Sequence, residues 1–147
     1  MLTAARVRWS AMAATAHGID LVVIPRIQRM LDAHGDRFLH RVFTKGERAW
    51  AMQGGHLAAQ RLAARFACKE AVMKALGTGW GQGVGWTQID LRRDPLTGAP
   101  TLVLSGAAQE RARWLGIDTW LVSLSHAGEY AMASVIGQGT PSAVAHA

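Results

Sequence analysis

An order of strand, helices, two strands, helix and two strands predicts one mixed helix-and-strand domain, and three observations carry that expectation. The chain has 147 residues, half of them hydrophobic, which is enough for one core and short for two. Apolar residues recur at helical spacing in some segments and alternate in others. Glycine and proline turn signals, such as Asp94-Pro95-Leu96-Thr97-Gly98, separate these segments. The recurrence of helix followed by a strand pair hints at two related halves.

Taken in order, Met1 to Ala16 contains Arg6 and Arg8, no acid and many alanines. The composition is shared by organellar presequences and by disordered extensions; it reads first as an extension outside the fold, or as a start set upstream of Met12, and it lacks the apolar stretch of a secretory signal. The domain is expected over 17–137, with a mobile tail over 138–147. Gly18 to Ile24 is apolar and β-branched except for Asp20, the pattern of a buried strand carrying one acid. Pro25 suits the first turn of a helix in which Ile27, Met30, Leu31 and His34 repeat, and Phe38, Leu39, Val42 and Phe43 extend it beyond Gly35. Thr44-Lys45-Gly46-Glu47 is a capping box opening another helix, which Gly54-Gly55 should end.

The longest helix is expected from about Leu57 to Leu76, with Gly77 as its stop. On it Glu70 and Lys74 stand four apart and share a face with Phe66 and Met73. After the loop from Gly77 to Gly85, Trp86 to Leu91 and Pro100 to Leu104 form a hairpin. Ser105 can cap a helix through Leu115, closed by Gly116, and Trp120–Ser125 with Tyr130–Ile136 give a second strand pair.

Composition excludes several classes. A formal net charge of +6 and a pI near 10.7 point to an acidic partner without choosing among nucleic acid, membrane surface, polyphosphate or acidic protein. Cys68 is the sole cysteine, so neither an intrachain disulfide nor a cysteine-pair zinc site can form, which fits a reducing, cytoplasmic setting. No apolar run approaches the roughly 20 residues of a spanning helix. Nucleic-acid binding lacks interleaved aromatics or a helix-turn-helix pattern. Ser123-Leu124-Ser125-His126 does not make a serine hydrolase, because neighbours on a strand face opposite sides and no nucleophile elbow is present.

Asp20 inside an apolar strand is costly to bury unpaired and needs a cation, an arginine or a helix cap. Glu70 with Lys74 makes either an ordinary surface pair or part of a divalent-cation site, since hard cations take one or two carboxylates plus phosphate and water oxygens. Glycines at 77, 79, 81, 83 and 85 let a backbone approach a phosphate, or simply make a flexible link. The loop is not a nucleotide P-loop, because it ends a helix and no Lys-Ser or Lys-Thr follows. His126 ends a strand, where it can reach a ligand or bond backbone. Arg26, Arg29, Arg37, Arg41, Lys45 and Arg48 form either a solvated face or a docking face for an acidic helix.

Gly18-Ile19-Asp20-Leu21-Val22 with Arg26, Arg65-Phe66-Ala67-Cys68-Lys69-Glu70-Ala71-Val72-Met73-Lys74-Ala75, Gly77-Thr78-Gly79 and Val122-Ser123-Leu124-Ser125-His126 together resemble the small holo-acyl-carrier-protein synthases, which are phosphopantetheinyl transferases. The resemblance spans about Gly18 to Ile136. It implies an α+β domain of two similar α/β halves with an antiparallel sheet and a long central helix, assembled as a homotrimer with active sites between subunits. It further implies Asp20 and Glu70 as magnesium ligands, with manganese able to substitute. Lys74 would lie on the phosphates of coenzyme A; Arg65, Gly77 and His126 would also contact coenzyme A; Arg26 and Arg29 would hold the acidic helix of acyl carrier protein. Asp20, Glu70 and Lys74 are then the catalytic set, for transfer of 4'-phosphopantetheine to a carrier serine in fatty acid biosynthesis, with release of adenosine 3',5'-bisphosphate. Two alternatives remain: a transferase serving a specialised polyketide or peptide-synthesis carrier, or a non-catalytic basic module binding RNA or an acidic protein.

Overall fold

The computed structural model describes residues 14–79 and 82–139. Residues 1–13 of the expected extension, residues 140–147 of the expected tail, and Trp80 and Gly81 of the glycine loop lie outside the described residues.

The chain forms β1 (Ala14–Val23), α1 (Ile24–Val42), α2 (Lys45–Met52), α3 (Ala58–Leu76), the hairpin β2 (Ile89–Arg93) and β3 (Pro100–Leu104), α4 (Gly106–Trp114), and the hairpin β4 (Thr119–Ala127) and β5 (Tyr130–Gln138). Strands β1, β5 and β4 make an antiparallel sheet in that order, and β2 with β3 makes a second. The fold is α+β, with α3 as its centre. That helix packs across β1 and β5 and also meets α1, α2 and β2.

Local chemistry explains most boundaries. Pro25 stands in the first turn of α1, and Gly35 breaks that helix with φ 46°, a backbone angle that costs glycine little. The Thr44–Glu47 capping box is formed in full at the start of α2. Gly77 ends α3 in the left-handed conformation, with φ 66°. The core beneath α3 includes Ile27, Phe43, Leu62, Val72, Leu76, Ile89 and Val135. Full burial of each such side chain contributes about 1.5–3 kcal/mol.

Four expectations need correction. β1 starts at Ala14, three residues before His17, because β5 runs on to Gln138 and supplies pairing partners. β1 is also buried on one face only: Gly18 and Val22 face α3, while Ile19, Leu21 and Val23 point outward and are 48%, 59% and 38% exposed. Trp86–Gln88 is a 3-10 turn, and β2 begins at Ile89; the Phe66 ring stacks on Trp86 at 4.9 Å and holds that turn against α3. Ser105 precedes α4 without a side-chain capping bond. Gln88 does that work instead, its Oε1 accepting from the amide of Ala108 at 3.3 Å and from that of Gly85 at 3.1 Å.

Candidate active site

β1 and α3 approach as closely as backbones can. A Cβ on Gly18 would stand 1.8 Å from the carbonyl oxygen of Ala71, so only glycine fits there. Two residues on, Asp20 therefore lies against the face of α3 that carries Glu70 and Lys74.

The Lys74 ammonium donates to Asp20 Oδ1 at 2.9 Å and to the Ile19 carbonyl at 2.9 Å. It pairs with a strand carboxylate 54 residues away, so of the two readings the sequence left open, the ordinary Glu70–Lys74 surface pair gives way to a cross-element pair. The Glu70 carboxyl is held above the usual carboxylate range, first by partial burial and next by the like charge of Asp20, while Lys74 and Arg26 pull it back. Two mutually repelling carboxylates on rigid elements suit a small hard cation, which would relieve the repulsion and accept both as oxygen ligands. Among the described residues no group of three or more His, Cys, Asp and Glu could hold a metal ion, so further ligands would come from substrate oxygens and water.

Gly77 opens the glycine loop at the C-terminal end of α3, one turn from Lys74. Arg26 and Arg29 are exposed on the first turns of α1. Arg26 lies near enough to act on Glu70, and Arg29 lines a neighbouring groove with Pro25, Gln28, His56 and Leu57.

Arg65 and His126 are not brought to this cluster within one chain. Arg65 is about 140° round α3 from Glu70. It is buried beside Trp50, its Nη1 donating to the Arg61 carbonyl at 3.2 Å and its Nε left without a partner among the described residues. Burial, and secondarily the charges of Arg93 and Arg61, hold this guanidinium below its usual range, against the pull of Glu47. Its cavity, of about 250 Å³, is lined by Trp50, Arg92, Arg93, Pro100 and Ser123. Arg61 and Arg93 stack on the Trp50 ring at 4.3 and 4.5 Å. Sequence reasoning missed Trp50, Arg61 and Arg93, whose grouping joins α2, α3 and β2 across long chain separations. His126 is exposed near the end of β4, level with Ala131 of β5 and Val22 of β1, and so stands two strands from Asp20.

The model of the 4'-phosphopantetheinyl transferase superfamily matches residues 16–135. The chain belongs to this family. Within it the chain falls among the holo-[acyl-carrier-protein] synthases: it is 48% identical over 118 residues to that synthase from Gloeobacter violaceus, covering 80% of this chain and 88% of that protein. The crystal structure of the synthase from Neisseria meningitidis superposes with a TM-score of 0.76 at 31% identity, covering 85% of this chain and 98% of the other. The Helicobacter pylori synthase in complex with coenzyme A superposes with a TM-score of 0.72 at 30% identity, covering 82% and 98%. Family membership gives the β1–α3 cluster its chemical context: an enzyme of group transfer, with Asp20, Glu70 and Lys74 gathered where the strand and helix meet.

Proposed function

We propose that this chain transfers 4'-phosphopantetheine from coenzyme A to a serine of apo acyl carrier protein, at a site built on Asp20, Glu70 and Lys74. The observation that carries the reading is the meeting of these three side chains from β1 and α3 in a chain whose relatives are named holo-[acyl-carrier-protein] synthase. Asp20 and Glu70 would hold magnesium, or manganese in its place. When bound, that ion neutralises the diphosphate and steadies charge on the departing adenosine 3',5'-bisphosphate.

The protein's own groups do the rest. Lys74 exchanges its bond to Asp20 for the phosphate oxygens. The carrier's serine hydroxyl attacks the β-phosphorus in line, giving its proton to water or to a carboxylate while the phosphorus–oxygen bond to the bisphosphate breaks. The basic start of α1, with Arg26 and Arg29, receives the acidic helix of the carrier. A role in fatty acid biosynthesis in the cytoplasm follows from that carrier.

The outward face of the three-stranded sheet supports assembly as a homotrimer. Ile19, Leu21 and Val23 of β1, Met132 and Tyr130 of β5 and Leu121 of β4 are exposed on it together, and a shared apolar face of this kind marks an interaction surface. In such an assembly Arg65 and His126 of one subunit could meet coenzyme A held by the Asp20–Glu70 cluster of a neighbour. The Arg65 Nε, which has no partner among the described residues, together with Arg92 and Arg93 on the same cavity, favours an anionic ligand there.

The deciding experiment incubates the protein with apo carrier, coenzyme A and magnesium and reads intact mass. One added phosphopantetheine on the carrier is expected, with Asp20→Ala and Glu70→Ala folded but inactive. Near-normal turnover in either variant would refute the metal assignment, and an unmodified carrier with the unaltered protein would refute the activity.

A further inference from the structure

We infer that Arg111 is a positioning residue of the transfer site, completing the cap that ends α3 and thereby setting how Gly77 and the entry of the glycine loop meet the diphosphate of coenzyme A. This rests on the functional reading above.

An α-helix leaves its last four carbonyls without intrahelical partners. At the end of α3 the Thr78 amide bonds the Met73 carbonyl at 3.0 Å and the Gly77 amide bonds that of Lys74 at 3.1 Å, the two bonds of a Schellman motif. That motif provides no donor for the Leu76 carbonyl. Arg111 of α4 provides one, its Nε donating at 3.0 Å across 35 residues of sequence.

The same guanidinium rests on the Trp114 ring at 4.4 Å, and its Nη2 stands 3.8 Å from where a Gly77 Cβ would be. A planar guanidinium can lie flat on an indole while its edge donates a hydrogen bond in a fixed direction; an ammonium, a compact point charge on a flexible stem, lacks that fixed fork. It also places a cation at the negative pole of α3.

The turn so fixed is the one the chemistry uses. Lys74 gives its carbonyl to the cap and its ammonium to Asp20, and Gly77 begins the loop. The loop's exit is held separately, by Gln88 on the Gly85 amide and by Lys69 on the Trp86 carbonyl at 2.9 Å. With the exit anchored, slack at Leu76 falls on the loop's entry and on the turn of α3 that carries Lys74.

The test measures steady-state transfer by the full-length protein with magnesium, varying coenzyme A and carrier separately, for Arg111→Ala, Arg111→Lys and Trp114→Ala. Loss of a hydrogen bond made by a charged group predicts a KM for coenzyme A raised about tenfold in Arg111→Ala. The KM for carrier should stay within about twofold, since α1 is untouched. Arg111→Lys should stay raised, and Trp114→Ala, which loosens the guanidinium at a half-exposed ring, should rise less. A KM for coenzyme A equal to the unaltered protein's in Arg111→Ala overturns the inference, as does full restoration by lysine, which would leave only a charge effect. If Arg111→Ala fails to fold, Trp114→Ala decides by the same readout. Unaltered protein that transfers nothing overturns the functional reading itself, whereas active protein indifferent to these substitutions overturns this inference alone.

Discussion

Lys69 and Lys74 sit on the same helix, each opposite a carboxylate from another element, and the two pairs serve different ends. Lys69 meets Glu47 of α2 at 2.8 Å with both side chains 0% exposed. Its ammonium also donates to the Trp86 and Ile89 carbonyls, while Glu47 accepts from the amides of Leu91 at 3.0 Å and Thr44 at 2.8 Å. Every charge there is consumed by a partner, which ties α2, α3 and β2 into one body. Lys74 meets Asp20 at 2.9 Å with side chains 55% and 16% exposed, and Glu70 beside it carries an incompletely offset charge. The comparison teaches that burial and completeness of pairing, not residue type, separate a structural ion pair from a reactive one. The same distinction runs through the pKa shifts. Burial lowers Lys69 against the pull of Glu47, and burial pushes the neighbouring Cys68 thiol up to about 12, so that thiol is inert packing.

The sharpest way to break this contrast is Lys69→Met, which strands Glu47 in the core. It should cost about 3–5 kcal/mol in denaturant unfolding. Lys74→Ala should do the reverse, lowering kcat/KM by about a hundredfold while unfolding moves by less than about 1 kcal/mol. Equal stability losses for the two lysines would erase the distinction. Adding Glu47→Gln to Lys69→Met removes the stranded charge, and the double-mutant cycle should return a coupling of about 1–3 kcal/mol; strict additivity would mean the pair is not one unit.

The smallest effect is the subtlest. Because the folded-state Glu70 carboxyl lies above its unfolded value, folded protein binds its proton more tightly, so its contribution is most favourable at low pH and is lost as pH rises through the carboxylate range to the raised value. Metal-free Glu70→Gln should therefore match the unaltered protein's Tm in acid and exceed it slightly at neutral pH. A lower Tm for the variant at neutral pH would contradict repulsion between Glu70 and Asp20.

Much of this was legible in the sequence, and the exceptions share a cause. The Thr44–Glu47 capping box and the Gly77 stop were readable because their interactions close within a few residues. What could not be read is that Glu47 serves twice, capping α2 and neutralising Lys69. The β1 pattern of apolar residues around Asp20 suggested a buried strand, yet half of it faces outward. An apolar strand has the same composition whether its outer face meets a helix or awaits another subunit. Ser105 was the better capping residue by type, but Gln88, brought alongside by the β2–β3 hairpin, supplies the bond. Asp20, Glu70 and Lys74 were singled out together and are found together. Arg65, in the same motif as Glu70, is on another face of the helix.

By itself the sequence determined the order of elements, their caps and turns, and which face of α3 carries Glu70 with Lys74, since each depends on backbone geometry and neighbours within about one helical turn. Only the tertiary structure decided that Lys74 reaches Asp20 across 54 residues, that Arg111 closes the end of α3 across 35, and that Lys69 is sealed while Lys74 stays open to a ligand. The reason is physical: desolvation and pairing belong to the packed arrangement of distant segments, and no local stretch of chain contains them.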